Sequence, residues 1–468
     1  MNRILLSLSL STAVCAALLA QAVIDTPAVP AARVDAVFSR WNTQTPGCAV
    51  GVAQGGKSIL EKSYGMDDLE HDVANTTETI FEAGSVSKQF TAAAVLLLAQ
   101  EGKLSLDDPA RKYLPELPDY GAPLTIRHML QHTSGLRDWG EVESMAGWPR
   151  TTRTYSHAHV LDIVSRQKSL NFASGTEWSY SNTGYNLAAV IVSRVSGKPF
   201  AEFSEERIFK PLGMTRTSWR DDFTRIVKGR AIAYSQVGSE FRTNMPFENV
   251  HGNGGLLTTV GDLLKWNENF VTPRVGDAAF LKIEQEPGRF NDGKSHDYAL
   301  GLYVRPYKGV PEVSHSGSTA GYRAHLTRYP QQHLSVAVLC NVSSGQATQY
   351  ALSVADMYLG STIKTDSAPA APRARPETAS FTPEPADIAA YLGAYYSDEA
   401  EVRYEVAKDG DAIVIRRRPD ATIRLRATKK DEFASPAGAV VFLRDESGAV
   451  KEMSVRSARV FDMRFKRD

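Results

Sequence analysis

Three cysteines in 468 residues, at positions 15, 48 and 340, exclude a disulfide-built scaffold and a cysteine-based structural zinc site. Neither sign of charge is in excess. Lys and Arg total 53 and so do Asp and Glu, which argues against a dedicated nucleic-acid or polyanion binder. After the first residues no stretch approaches the ~20 consecutive apolar residues of a membrane span. There is no P-loop, no G-x-S-x-G elbow, no H-E-x-x-H and no C-x-x-C. What remains is ordinary globular composition, 43% hydrophobic and 23% charged, long enough for several domains.

The N-terminus reads as an export signal. Arg3 supplies the positive end, Ile4 to Ala20 the apolar run, and Ala20-Gln21-Ala22 a small-x-small cleavage site. Residues 1–22 are therefore expected to be a signal peptide carrying Cys15 away. The mature protein is expected to be exported, periplasmic or extracellular, with no membrane span. Five prolines between Pro369 and Pro385 mark a linker, placed at 362–386, because proline lacks the amide donor and resists both helix and central strand. It separates a block at 23–361 from one at 387–468.

In the first block, Ala49–Ala53 and Ser58–Tyr64 read as a hairpin about Gly55-Gly56. Phe90 to Gln100 is a helix apolar on every side, hence buried on every side. Helical segments continue to about residue 270. Strands return at Tyr322–Tyr329 and Leu334–Leu339, and a last helix lies near Gln346–Tyr358. This order predicts an α+β fold: an antiparallel sheet built from both ends of the block, flanked by helices, with an all-helical region inserted. The second block alternates in short runs (Val402/Tyr404/Val406, Ile413/Ile415, Ile423/Leu425, Phe461/Met463/Phe465), which predicts a small antiparallel β-barrel. Its Arg416-Arg417-Arg418 run reads as a solvated face.

The chemistry-bearing run is Ser85-x-x-Lys88, at the head of the buried helix. Three residues is close to one turn, so the two side chains meet on one face. A hydroxyl nucleophile needs an adjacent base, and a desolvated lysine can lose its proton and serve. His128 and His132, four apart, lack a third ligand nearby; packing or hydrogen bonding is the better reading, and neither a metal nor a cofactor is expected.

Tyr180-Ser181-Asn182 and His315-Ser316-Gly317 follow in order. With Ser85-x-x-Lys88 they resemble the three motifs of the serine β-lactamase and penicillin-recognising D,D-peptidase superfamily, in the branch of class C β-lactamases, D-aminopeptidases and esterases. Leu124–Leu136 and Gly254–Asp262 resemble the same branch, over roughly residues 33–360. The resemblance implies that Ser85 is acylated and that Lys88 takes or relays its proton. It implies that Tyr180, held by Lys88 and His315, is the general base, and that Asn182 orients substrate and lysine. The amides of Ser85 and Ser318 would form the oxyanion hole. Ser316, Gly317 and Ser318 would line the substrate edge, and Arg323 would meet a substrate carboxylate. The third motif begins with His315 where typical β-lactamases have Lys. A histidine is only partly charged near pH 7, so strong β-lactamase activity is not expected. The second block resembles the lipocalin-like appendages of some members.

These implications converge on an exported serine hydrolase working through an acyl-enzyme on an amide or ester, plausibly a D-amino-acid peptide. A carboxylesterase or weak β-lactamase on the same site is the alternative. A catalytically silent penicillin- or peptidoglycan-binding protein is the alternative of another class, disfavoured because Ser85, Lys88, Tyr180 and Asn182 are all present. The expected partner is a small-molecule or peptide substrate, with no nucleic acid; a homo-oligomer is open. Cys48 and Cys340 would lie opposite each other if, as the resemblance implies, their strands pair antiparallel. Directly opposed strand positions fit disulfide geometry poorly, so two buried free thiols are expected.

Overall fold

The structure, a computed structural model, describes residues 29–364 and 381–468. The signal-peptide reading and most of the proline-rich linker lie outside these residues. Six strands form the main sheet: β1 (Cys48–Gln54), β2 (Lys57–Tyr64), β3 (Tyr303–Tyr307), β4 (Val310–Thr319), β5 (Tyr322–Tyr329) and β6 (Leu334–Cys340). Their order is β3-β4-β5-β6-β1-β2, antiparallel throughout, so the sheet joins the two ends of the block as its strand order predicts. Gly55 and Gly56, both at positive φ, turn the β1–β2 hairpin.

The helices used below are α1 (Ser87–Gln100), α2 (Trp139–Ala146), α3 (Asn182–Ser196), α4 (Val260–Glu268) and α5 (Ala347–Leu359). Every residue of α1 from Ser87 to Leu98 is buried, as its unbroken apolar sequence requires. It packs against α3, and its Phe90 meets Trp266 of α4, so polar groups on it have no water to fall back on. Thr259 caps α4 by accepting from the Asp262 amide at 3.2 Å.

Eight further strands close into an antiparallel barrel: β7 (Gly393–Ser397), β8 (Val402–Asp409), β9 (Ala412–Arg417), β10 (Ala421–Lys429), β11 (Glu432–Ser435), β12 (Gly438–Arg444), β13 (Val450–Arg456) and β14 (Met463–Arg467). The alternating runs point inward; Tyr404 and Phe465 pack at 4.3 Å between ring centroids. A short helix, Pro385–Tyr391, brings Tyr391 onto Phe442, stacked at 4.5 Å.

The barrel is bolted to the helical region. Tyr404 donates to the Met145 carbonyl at 2.7 Å, Arg418 to the Ala146 carbonyl at 3.1 Å, and buried Arg137 pairs with Glu399 at 3.0 Å. Arg418 thus meets a free carbonyl at the end of α2, where a cation is favoured. Arg416 and Arg418 nonetheless stay exposed and Arg417 is half-buried, in keeping with the reading of the run as a solvated face. Phe461, read as part of a strand, lies outside one and packs on Phe172.

The two internal cysteines correct the expectation of free thiols: Cys48 and Cys340 form a disulfide. They are register partners at the ends of β1 and β6. The neighbouring pair carries the hydrogen bond, from the Asn341 amide to the Gly47 carbonyl. The cysteines therefore occupy a non-hydrogen-bonded pair, the closer of the two antiparallel spacings, and their Cα atoms are 4.0 Å apart. The general rule against opposed positions overlooked that narrow spacing.

Candidate active site

Ser85 stands in a short 3-10 turn, Gly84–Val86, that runs into α1. Two glycines let strand β4 approach this turn. Gly84 has φ +51°, and a Cβ on it would lie 2.5 Å from the Ser318 amide nitrogen. A Cβ on Gly317 would lie 2.0 Å from the Ala83 carbonyl oxygen. Any larger residue at either position would push the β4 edge off Ser85.

One turn on, Lys88 is fully buried, and its Nζ has three oxygen neighbours: Asn182 Oδ1 at 2.9 Å, the Asn253 carbonyl at 2.8 Å and Ser85 Oγ at 3.0 Å. Burial pushes its pKa well below the ordinary lysine value; nearby Arg150 and Arg459 push the same way, while Asp138 opposes them. A neutral amine has two N–H donors and one lone pair. The two carbonyl oxygens, which only accept, take the donors. The lone pair is left facing the Ser85 hydroxyl.

Each neighbour is fixed in turn. Asn182 opens α3, and its amide Nδ2 and backbone N–H both donate to Asp138 Oδ2 at 2.8 Å. That sets the side chain's orientation, with Oδ1 toward Lys88. Asp138 also caps α2, accepting from Gly140 and Glu141. Asn186, one turn after Asn182 on α3, donates at 2.7 Å to Asn253 Oδ1 and at 2.8 Å to the His251 carbonyl. This holds the loop whose carbonyl meets Lys88.

Tyr180 stands beside Ser85, and Lys88 Nζ lies 4.8 Å from its ring centroid. Burial raises the Tyr180 pKa; the Ser85 hydroxyl and Arg459 partly counter it. The phenol is therefore protonated at neutral pH. His132 packs beneath it at 4.2 Å between centroids, accepting from the Ser181 amide through Nδ1. His128 is spent on capping its own short helix with Thr125. These roles place the two histidines in packing and capping. Among the described residues, the one three-residue group with metal-ligand spacing is Asp68, Glu70 and His71, away from this site.

His315 departs from expectation. It is buried, its Nδ1 donates to the Ser316 carbonyl at 2.6 Å, and its Nε2 accepts from the Tyr298 hydroxyl at 3.0 Å. Burial and Lys88 take its pKa down to about 3, so it is neutral, not partly charged, near pH 7. Nor does it hold Tyr180, whose ring centroid is 6.4 Å away.

These residues open on a cavity of about 870 Å³. Ser316, Gly317 and Ser318 form its edge, and Arg150, Arg323 and Arg459 line it with no Asp or Glu among the lining residues. Arg323 spends one amino group on the Ala320 and Tyr322 carbonyls. Sequence reasoning had not singled out Asp138, Asn253 or Arg459. For Asp138 an N-cap signal was present, an acidic residue just ahead of Trp139-Gly140-Glu141. Asn253 acts through its backbone, and Arg459 comes from the barrel; neither leaves a local pattern.

Residues 28–356 match the Beta-lactamase family, and the chain belongs to it, as an enzyme of that family. Penicillin-binding protein 4* of Bacillus subtilis (strain 168) is 31% identical over 62% of this chain and 66% of its own. A D-aminopeptidase of Gluconobacter oxydans (strain 621H) is 30% identical over 69% of this chain and 62% of its own. The chain thus spans less than two thirds of the length of these curated relatives. The octameric penicillin-binding protein homologue of Pyrococcus abyssi superposes with a TM-score of 0.63 at 24% identity, over 93% of this chain and 99% of that one. That likeness extends through the barrel as well as the sheet.

Proposed function

We propose that the protein is a serine amide hydrolase that forms an acyl-enzyme on Ser85, with a D-amino-acid peptide bearing a free carboxylate as substrate. The arrangement of Lys88 carries this reading: a neutral amine whose two N–H groups are taken has its lone pair aimed at the nucleophile. Ser85 gives its proton to Lys88 as Oγ attacks the carbonyl. The amides of Ser85 and Ser318 receive the oxyanion, each such donor being worth about 10²–10³ in rate. Tyr180, still protonated, donates to the departing nitrogen and recovers a proton from Lys88. Water then follows the reverse path to release the acyl group.

The substrate end is argued from charge. Of the three arginines that line the cavity, Arg150 is paired with Glu248 and Arg459 lies 3.5 Å from Asp138, which leaves Arg323, with carbonyls but no carboxylate as partners, to set the field of a cavity with no lining acid. Such a field favours a carboxylate and opposes the free ammonium that an aminopeptidase must accept. The names of the relatives, penicillin-binding protein and D-aminopeptidase, support the D-amino-acid class. A D-alanyl-D-alanine peptide, D-alanine p-nitroanilide and nitrocefin compared side by side test the reading. The peptide with the free carboxylate is expected to have the highest kcat/KM. Preference for the free-amine substrate would refute the charge argument, and no turnover of any would refute hydrolase function.

Export and self-association are proposed with it. The Cys48–Cys340 disulfide supports an oxidising compartment, and the octameric homologue supports an oligomer. Fractionation with the mature N-terminus sequenced checks the first, light scattering the second.

A further inference from the structure

The barrel's β13–β14 connection reaches the active site, and its contacts there are specific. Asn171 brackets it from both sides, donating to the Arg459 carbonyl at 3.0 Å and accepting from the Phe461 amide at 3.0 Å. Arg137 donates to the Asp462 carbonyl at 2.9 Å, Ser457 bonds Glu141, and Phe461 packs on Phe172. The backbone of the loop is thus fixed without help from the Arg459 side chain. That side chain goes elsewhere. Its guanidinium lies 4.9 Å from the centre of the Tyr180 ring and 3.5 Å from Asp138 Oδ2, the oxygen that orients Asn182.

Tyr180 is ringed by groups that do little for a negative phenolate. His132 is buried against its face, Tyr298 and Trp178 pack at its edges, and Asp138 is an anion. Two cations face the ring, Lys88 and Arg459. Lys88 can be one only after it has taken the Ser85 proton, and it ceases to be one when it reprotonates Tyr180. Arg459 is a cation throughout the cycle.

We propose that Arg459 is a positioning residue for the leaving-group proton: the barrel supplies a fixed cation that stabilises Tyr180 as it gives up its hydroxyl proton. In the acylation step the Ser85 proton passes to Lys88, the C–N bond breaks, and the Tyr180 proton goes to the departing nitrogen. Lys88 then returns its proton to Tyr180, so the protons balance. Arg459 enters neither bond made nor bond broken. It lowers the cost of the transient phenolate from above the ring, where a cation is attracted to the π face. The inference rests on the acyl-enzyme reading and adds a role for the barrel within it.

The consequence is a dependence on the leaving group. An alkyl amide cannot depart unprotonated, whereas p-nitrophenolate can. Arg459→Gln and Arg459→Lys in the full chain are compared with wild type on a D-alanyl alkylamide lacking a carboxylate, its carboxylate-bearing counterpart and the p-nitrophenyl ester. Arg459→Gln is expected to lose about 10- to 30-fold in the single-turnover acylation rate on both amides, the scale of one partly desolvated cation–π contact, with KM little changed. The ester should lose no more than about threefold, on the same scale. Arg459→Lys should recover part of the amide loss, since it keeps the charge without the planar stack. Equal losses on amide and ester would overturn the proposal, and so would an unchanged rate on all three. A rise in KM confined to the carboxylate-bearing amide would overturn it too, and would make Arg459 a carboxylate contact. Wild-type protein inert toward all three would instead overturn the acyl-enzyme reading, and this inference with it.

Discussion

Replacing Asp138 by Asn removes one charge and almost no volume, yet it is expected to disable the site. Asp138 Oδ2 accepts two hydrogen bonds from Asn182, both at 2.8 Å, while Oδ1 accepts from Gly140 and Glu141. An amide has one accepting oxygen. If that oxygen keeps the helix cap, the new NH₂ faces two Asn182 donors, and two buried bonds to a charged group are lost. Each is worth about 1.5–3 kcal/mol, so stability should fall by about 3 kcal/mol or more. The alternative is that Asn182 flips and turns its NH₂ toward Lys88. That NH₂ then occupies the lysine lone pair, which no longer faces Ser85. Loss of a positioned base costs about 10²–10⁴ in kcat. A smaller effect opposes this one: Asp138 raises the Lys88 pKa, so its loss favours the neutral amine. Burial, the largest influence on the Lys88 pKa, is untouched by the substitution, so orientation wins. The assay is kcat and KM on a p-nitrophenyl ester, with urea unfolding of the same preparation. A folded Asp138→Asn with kcat within threefold of wild type would refute the reasoning.

The disulfide joins residues 292 apart. Loop entropy alone sets an upper bound of about 5–6 kcal/mol, and native bridges usually contribute about 2–5, so Cys48→Ala with Cys340→Ala should lower the urea midpoint clearly while leaving the site assembled. Thiol titration of the denatured mature chain should find two more thiols after reduction than before. His315 titrates near 3 when folded, against an ordinary 6.5, so the unfolded chain binds its extra proton between those values. Stability must then fall as pH drops from 6.5 toward 3. His315→Gln should flatten that slope and leave the share from His132 and His251, which burial also depresses. An unchanged slope would show that His315 titrates normally.

Local spacing made the nucleophile legible. Ser85 and Lys88 are one turn apart on a helix whose apolar sequence has no outward face, and that alone places a lysine where its charge is costly. The sheet was legible because strand patterns stood at both ends of the block with helices between. Tyr180 and Asn182 were found by motif, and their supports were not. Asp138 and Arg459 lie 321 residues apart and meet only when the barrel docks. The charge of His315 was misjudged for a related reason. A reference pKa belongs to a solvated ring, and nothing in His315-Ser316-Gly317 tells that Tyr298 and the sheet will enclose it. The cysteine pair turned on which of two antiparallel spacings it occupies, a matter of register that composition does not carry.

The most direct test of the account is the mass of the trapped enzyme. Wild type incubated with a fluorophosphonate or a labelled penicillin, then digested, should carry one adduct on the peptide containing Ser85. Ser85→Ala should carry none while keeping the wild-type unfolding curve, because Ala is tolerated at the head of a helix. An adduct that persists in Ser85→Ala, or one that maps to another residue, would contradict the assignment of the nucleophile on which the rest depends.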